Sequence, residues 1–165
     1  MTNSPPICIL NRLQDKYLEM LITKEIEIDM GHRVTNHKSK CASLHGHRYK
    51  IEVGVDDQII TTEGSSDEGM VMDFGDLKEV MMEVLDKRFD HGMVLWKKDE
   101  LVPAIVADIK TKLTTVDFIP TAENLAKFWF GLLKVRLEER HIKIKHIKVW
   151  ETPTSTATYG EVGNN

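Results

Sequence analysis

Cysteine is scarce in these 165 residues. Cys8 and Cys41 are the only two, too few for a disulfide framework, so a reducing compartment and a fold held by its core are expected. A basic excess is missing as well. Lys+Arg number 22 against 26 Asp+Glu, a formal net charge of -4, which argues against a general binder of nucleic acid or anionic membrane. No apolar run approaches the ~20 residues of a membrane-spanning helix; Phe128 to Leu133 is typical of the longest. The start, MTNSPPICIL, lacks the basic residues and apolar stretch of a secretion signal. A soluble cytoplasmic protein with no nucleic-acid or membrane partner is the expectation. Repeats and low-complexity tracts are absent, and no HExxH pattern offers the base of a zinc hydrolase.

Hydrophobic residues at 41% and charged residues at 29% are ordinary globular values. The length suits one domain that buries roughly two-thirds of its unfolded surface. Residues 1–20 read as an N-terminal arm, polar and Pro-containing, then weakly helical from Arg12 to Met20. Residues 21–165 read as a single domain. Ile26, Ile28, Met30 and His32 alternate with Glu25, Glu27, Asp29 and Gly31, the period of a half-buried strand. His45, His47, Tyr49, Ile51, Val53 and Val55 alternate likewise with polar residues. The two segments predict an antiparallel pair joined by a loop over 33–44.

Asp73 can cap a helix whose Leu77, Val80, Met81, Val84 and Leu85 recur at helical spacing. Thr121 can cap a second, with Leu125, Phe128, Trp129, Leu132, Leu133 and Leu137 as its stripe. A third, less regular helix is expected within 98–113, with Pro103 in its first turn. IKHIKVWE and STATYGEV read as a closing strand pair about Thr152-Pro153. The expected class is α+β: a four-stranded antiparallel sheet, order ββααββ, with two main helices on one face. Its two free edges make homo-oligomerisation by edge pairing an expectation.

Residues two apart on a strand share a face, so His45 and His47 project together. His32 closes the first strand at matching parity, where its antiparallel partner begins. Three converging imidazoles suit Zn²⁺ and leave its fourth tetrahedral position open, the arrangement of a catalytic site. Cys41, four residues before His45, either completes a closed structural site or acts as a nucleophile or base beside the metal. Asp90-His91 ends the first helix, and neighbours in sequence rarely face each other. A histidine meeting the helix dipole ahead of Gly92 is the simpler reading there. Glu151 lies on an apolar strand face and needs a partner: a ligand edge with adjacent N–H and NH₂ donors, or an internal ion pair. Glu123 complements the dipole of the helix that Thr121 caps. Arg33, Lys38, Lys40 and Arg48 surround the hairpin, as phosphate ligands or as a solvated charged face.

DMGH at 29–32, CASLHGH at 41–47, MDFGDLK at 72–78, FDH at 89–91, PTAEN at 120–124 and WET at 150–152 together resemble the 6-pyruvoyl-tetrahydropterin synthase family. The short C-x3-HGH spacing resembles its 6-carboxy-tetrahydropterin synthase branch. The resemblance implies a tunnelling fold whose subunits form a barrel, a trimer or dimer of trimers, with active sites at interfaces. It implies zinc on His32, His45 and His47, Cys41 as the proton-abstracting base, and Asp90 with His91 as a relay. Glu151 would anchor the pterin ring and share in the relay, with Thr121 and Glu123 as further substrate-binding candidates. The implied reaction converts 7,8-dihydroneopterin triphosphate to 6-carboxy-5,6,7,8-tetrahydropterin, losing triphosphate and acetaldehyde, in queuosine biosynthesis. Its rivals are a synthase that stops at the 6-pyruvoyl product and a non-catalytic binding module stapled by zinc. Residues 92–119 form an enlarged segment relative to the family pattern.

Overall fold

The computed structural model of the protein describes residues 20–161. Cys8 and nearly all of the expected N-terminal arm lie outside the described residues. Met20, assigned to that arm by its sequence, is instead the first residue of strand β1, Met20–His32. β1 pairs antiparallel with β2, His45–Asp57, along the whole of both strands. Alternation makes the hairpin amphipathic as expected: Ile26, Ile28, Met30, Tyr49, Ile51, Val53 and Val55 are buried, while Glu25 and Glu27 on the other face are exposed.

After β2 the chain forms α1, Phe74–Met81, which runs through a π-helical turn at Met82–Asp86 into a last turn, α2, Lys87–Phe89. The Asp73 side chain accepts the Gly75 amide and caps α1. The long helix α4, Ala122–Glu138, begins where Thr121 accepts the Asn124 amide at 3.4 Å. Its Leu125, Trp129, Leu133 and Leu137, spaced four apart, are fully buried, which places one stripe against the sheet. β5, Ile144–Thr152, and β6, Ser155–Gly160, close the fold antiparallel to each other, turning at Pro153-Thr154.

The sheet differs from the expected four antiparallel strands. It has six: β3, Gly92–Trp96, and β4, Leu113–Val116, join the other four in the order β4-β3-β1-β2-β5-β6. The additional pair comes from the enlarged segment: β3 runs parallel to β1, and β4 runs parallel to β3. A parallel neighbour requires a crossover, and helix α3, Leu101–Asp108, supplies it. The physical reason these strands escape periodicity is burial. Val94 and Leu95 are adjacent, hence on opposite faces, and both are fully buried; a strand covered on both faces shows no alternation. β4, with four residues, is too short to show any period. The protein is therefore α+β with a mixed sheet.

Candidate active site

The hairpin register sets His32 directly opposite His45, and Met30 opposite His47. All three imidazoles share the face that β1 and β2 turn toward the core, at the end where the strands begin and finish. Ring centroids lie 4.6 Å apart for His32–His45, 5.2 Å for His32–His47 and 5.0 Å for His45–His47. One nitrogen from each lies within 4.8 Å of the others, a set able to hold a metal ion. Gly46 between the two histidines is there for space: a Cβ would sit 3.0 Å from the Met30 carbonyl oxygen.

Backbone carbonyls fix the tautomers. His32 Nδ1 lies 2.7 Å from the Pro120 carbonyl and His45 Nδ1 lies 2.8 Å from the Ser43 carbonyl. A carbonyl only accepts, so each Nδ1 carries the hydrogen and each Nε2 keeps a lone pair, the arrangement of a metal-ligating histidine. His32 Nε2 is buried and has no hydrogen-bond partner. A buried lone pair left unmatched is costly, and a cation bound there would satisfy it; the donor set fits a metal. Burial holds the His32 pKa at about 4, against 6.5 for a free ring, with the Pro120 carbonyl opposing and the neighbouring histidines reinforcing. Burial also lowers His47, against the pull of Glu151. Neutral rings are the form that ligates.

A cleft of about 250 Å³ opens beside this centre, with Cys41, Thr121, Glu123 and Glu151 in its wall together with His32 and His45. Cys41 sits in a 3₁₀ turn, Lys40–Ala42, capped by Ser39. Among the described residues the metal-competent set consists of the three histidines without the thiol. Glu151, near the end of β5, places Oε1 3.6 Å from His32 Nε2. It also borders a second hollow of about 600 Å³ with His47, Arg48 and Trp150.

Asp90 and His91 are not in the cleft wall. They do, however, face each other, contrary to the simpler reading of their sequence: His91 Nδ1 lies 2.6 Å from Asp90 Oδ2. The reason is a left-handed backbone at His91, φ +53°, a region histidine enters more readily than most residues. Asp29 on β1 grips the pair from both sides. Its amide donates to Asp90 Oδ1 at 2.8 Å and its carbonyl accepts the His91 amide at 2.7 Å. Partial burial pushes the Asp90 carboxyl up, but the Asp29 amide and His91 outweigh it and hold it below the ordinary value. The His91 ring is left 79% exposed at the surface.

Of the four basic residues around the hairpin, two are committed elsewhere. Arg48 makes a two-point bond to Asp29, at 3.0 and 2.8 Å. Arg33 is paired with Asp99 and Glu100. Lys38 and Lys40 remain exposed in the loop. Sequence reasoning missed His37, Ser155 and Thr156, which also face the cleft. Only the closeness of His37 to Cys41 in the chain offered a signal; β6 residues reach the site through tertiary pairing alone.

Fold and site together define an α+β protein whose hairpin ends in three histidines able to hold a metal ion, with a thiol in the adjoining cleft. The sequence profile described as 6-pyruvoyl tetrahydropterin synthase matches residues 21–162, and the chain belongs to that family. It is 34% identical over 143 residues to the 6-carboxy-5,6,7,8-tetrahydropterin synthase of Haemophilus influenzae, covering 85% of this chain and 98% of the relative. The protein of the same description from Aquifex aeolicus is 35% identical over 163 residues, with 85% and 97% covered. The fold matches the structure of Caenorhabditis elegans 6-pyruvoyl tetrahydropterin synthase with a TM-score of 0.62 at 24% identity, over 88% of this chain and 97% of that one.

Proposed function

We propose that the protein is a zinc-dependent lyase acting on 7,8-dihydroneopterin triphosphate in queuosine (7-deazaguanine) biosynthesis. Its product would be 6-carboxy-5,6,7,8-tetrahydropterin, formed with loss of triphosphate and acetaldehyde. Family membership and the description shared by its bacterial relatives support the reaction class. The observation that carries it is a metal-competent centre of three nitrogens opening into a cleft that also holds a thiol and a carboxylate.

Zinc, once held by His32, His45 and His47, supplies the Lewis acidity that makes the proton on the side-chain carbon removable near neutral pH. Glu151 accepts from the adjacent N–H and NH₂ groups on the edge of the pterin ring, two bonds that fix its orientation. Thr121 spends one lone pair of its hydroxyl on the Asn124 amide and keeps the O–H to donate to a ligand in the cleft. Glu123, in the first turn of α4 and in the cleft wall, stands ready to accept from a second ring donor. Cys41, as thiolate, takes the carbon-bound proton.

His91 donates through Nδ1 to Asp90, so its Nε2 is free to accept that proton and return it later in the reaction. Because the pair lies outside the cleft of its own subunit, this relay serves a neighbouring subunit's site. The assembly is a homo-oligomer, a trimer or dimer of trimers, joined through sheet edges. Two edges support that reading: β6 on one side, and on the other β4 with the stretch of β1 before Asp29, which β3 leaves uncovered among the described residues. Lys38 and Lys40 are the remaining candidates for the triphosphate. The protein acts in the cytoplasm.

Mass spectrometry of the reaction with 7,8-dihydroneopterin triphosphate tests the reading. Acetaldehyde and the 6-carboxy product in equal amounts are expected. Triphosphate release with a 6-pyruvoyl product would overturn the product and keep the scaffold chemistry. No turnover by zinc-loaded protein would leave the non-catalytic binding module.

A further inference from the structure

Asp99 is the most deeply buried carboxylate among the described residues: it is 2% exposed overall and its side chain is fully covered. Removing a carboxylate from water is costly unless partners replace its hydration, and Asp99 has three. Thr35 donates its hydroxyl to Oδ2 at 2.5 Å. The Arg33 guanidinium Nε stands 3.2 Å from the same oxygen. The Leu101 amide, in the first turn of α3, donates to Oδ1 at 2.9 Å. The backbone of Asp99 is held too, its amide bonded to the Trp96 carbonyl at the end of β3 and its carbonyl accepting the Val102 amide. Asp99 thus belongs to a rigid corner of the enlarged segment and reaches out to two residues of another loop.

Those two residues flank Val34. The Val34 amide donates to the Cys41 carbonyl at 2.8 Å, closing the loop that brings the thiol into the cleft, and Val34 itself lines that cleft. The chain of contacts is short. Asp99 grips residues 33 and 35, the residue between them holds the Cys41 backbone, and residue 32 immediately before them is a metal-ligating candidate.

We propose that Asp99 is a positioning residue for Cys41: it anchors the 33–41 loop to the β3–α3 corner and so sets where the thiol stands relative to the three-histidine centre. The enlarged segment thereby acquires a role in the reaction without contributing a group that touches substrate. This inference rests on the reading of Cys41 as the base, but its geometric content, where the thiol stands, can be measured separately.

The experiment uses the zinc-loaded, full-length protein carrying Cys8→Ser, so that Cys41 is the one thiol. The rate of its alkylation by iodoacetamide is followed by mass spectrometry beside kcat, KM and bound zinc. In Asp99→Ala the loop loses its anchor. Alkylation is expected to quicken about tenfold and kcat to fall about tenfold or more, with KM within about twofold, since ångström-scale misplacement of a reacting group costs that much. Zinc stoichiometry should not change. Thr35→Val, which removes a single hydroxyl at constant volume, should move both readouts in the same direction by about threefold. Asp99→Glu, which restores a carboxylate, should recover part of the loss. If the Asp99 variants fail to fold, Thr35→Val alone decides. Zinc-loaded variants with alkylation and kcat both within about twofold of the parent would overturn the proposal. A faster alkylation with unchanged turnover would uphold the anchoring and overturn Cys41 as the base.

Discussion

Two regions meet at the cleft and were built in different ways. The β1–β2 hairpin is a continuous ladder in which Met20 to His32 faces Asp57 to His45 residue by residue. Each histidine is placed by strand alternation and register, and the carbonyls of Pro120 and Ser43 complete the arrangement. The thiol and the Asp90-His91 pair are placed by a few contacts outside that ladder: Val34 to Cys41, Asp99 to Thr35 and Arg33, Asp29 to Asp90 and His91. Regular pairing makes a rigid donor set cheaply, because one register fixes many side chains together. Loop-borne groups need dedicated anchors, and losing one anchor moves one group.

The comparison predicts that the hairpin and the loop fail differently. The largest effect is expected for His45→Ala, which removes one of three ligands: bound zinc measured by elemental analysis should drop to a small fraction of one per chain, and turnover with it. A variant that keeps stoichiometric zinc would break the ligand assignment. Next comes Cys41→Ala. Zinc should stay at one per chain while kcat falls by roughly a hundredfold to ten-thousandfold, the range for loss of a general base. Full activity with metal retained would end the case for the thiol as base.

A smaller effect concerns metal-free protein. Burial lowers the His32 pKa from 6.5 to about 4, so between those values the unfolded chain binds the extra proton and the folded one does not. Stability is then complete above about pH 6.5 and declines as the pH falls toward 4, by about 3 kcal/mol from this group. Urea unfolding across that window should show a steeper decline for the parent than for His32→Gln, which has nothing to titrate there; parallel curves would refute the assignment. The smallest effect is Thr121→Ala. Loss of the α4 cap should cost about 1 kcal/mol and lower Tm by roughly 2–4 °C, with zinc content unchanged. A large loss of zinc instead would mean that the Pro120 carbonyl depends on that cap.

The three-histidine face was legible because its information is local: period 2 along each strand, and a parity match between Met30-Gly31-His32 and His45-Gly46-His47. Both main helices were legible for the same reason, through Leu77 and Val80 in one and Leu125, Trp129, Leu133 and Leu137 in the other. β3 was not, because Val94 and Leu95 are buried on opposite faces and leave no alternating pattern. The contact between Asp90 and His91 was misjudged because it depends on one left-handed residue. Nothing in the neighbouring composition announces that conformation, and Asp29, sixty-one positions away, helps to hold it.

Alternation and capping residues are properties of short windows, so the amino-acid order alone settled that β1 pairs with β2 and β5 with β6, where the two main helices form and which side chains share a metal-ready face. It also carried the motifs that mark the family. The six-stranded mixed sheet, the commitment of Arg33 and Arg48 to carboxylates, the cleft shared by Cys41 and Glu151, and the grip of Asp99 on the thiol's loop were decided only in three dimensions. The added strands pair over only three and four register positions, and the other features rest on a few contacts between residues that only folding brings together; neither leaves a period to read.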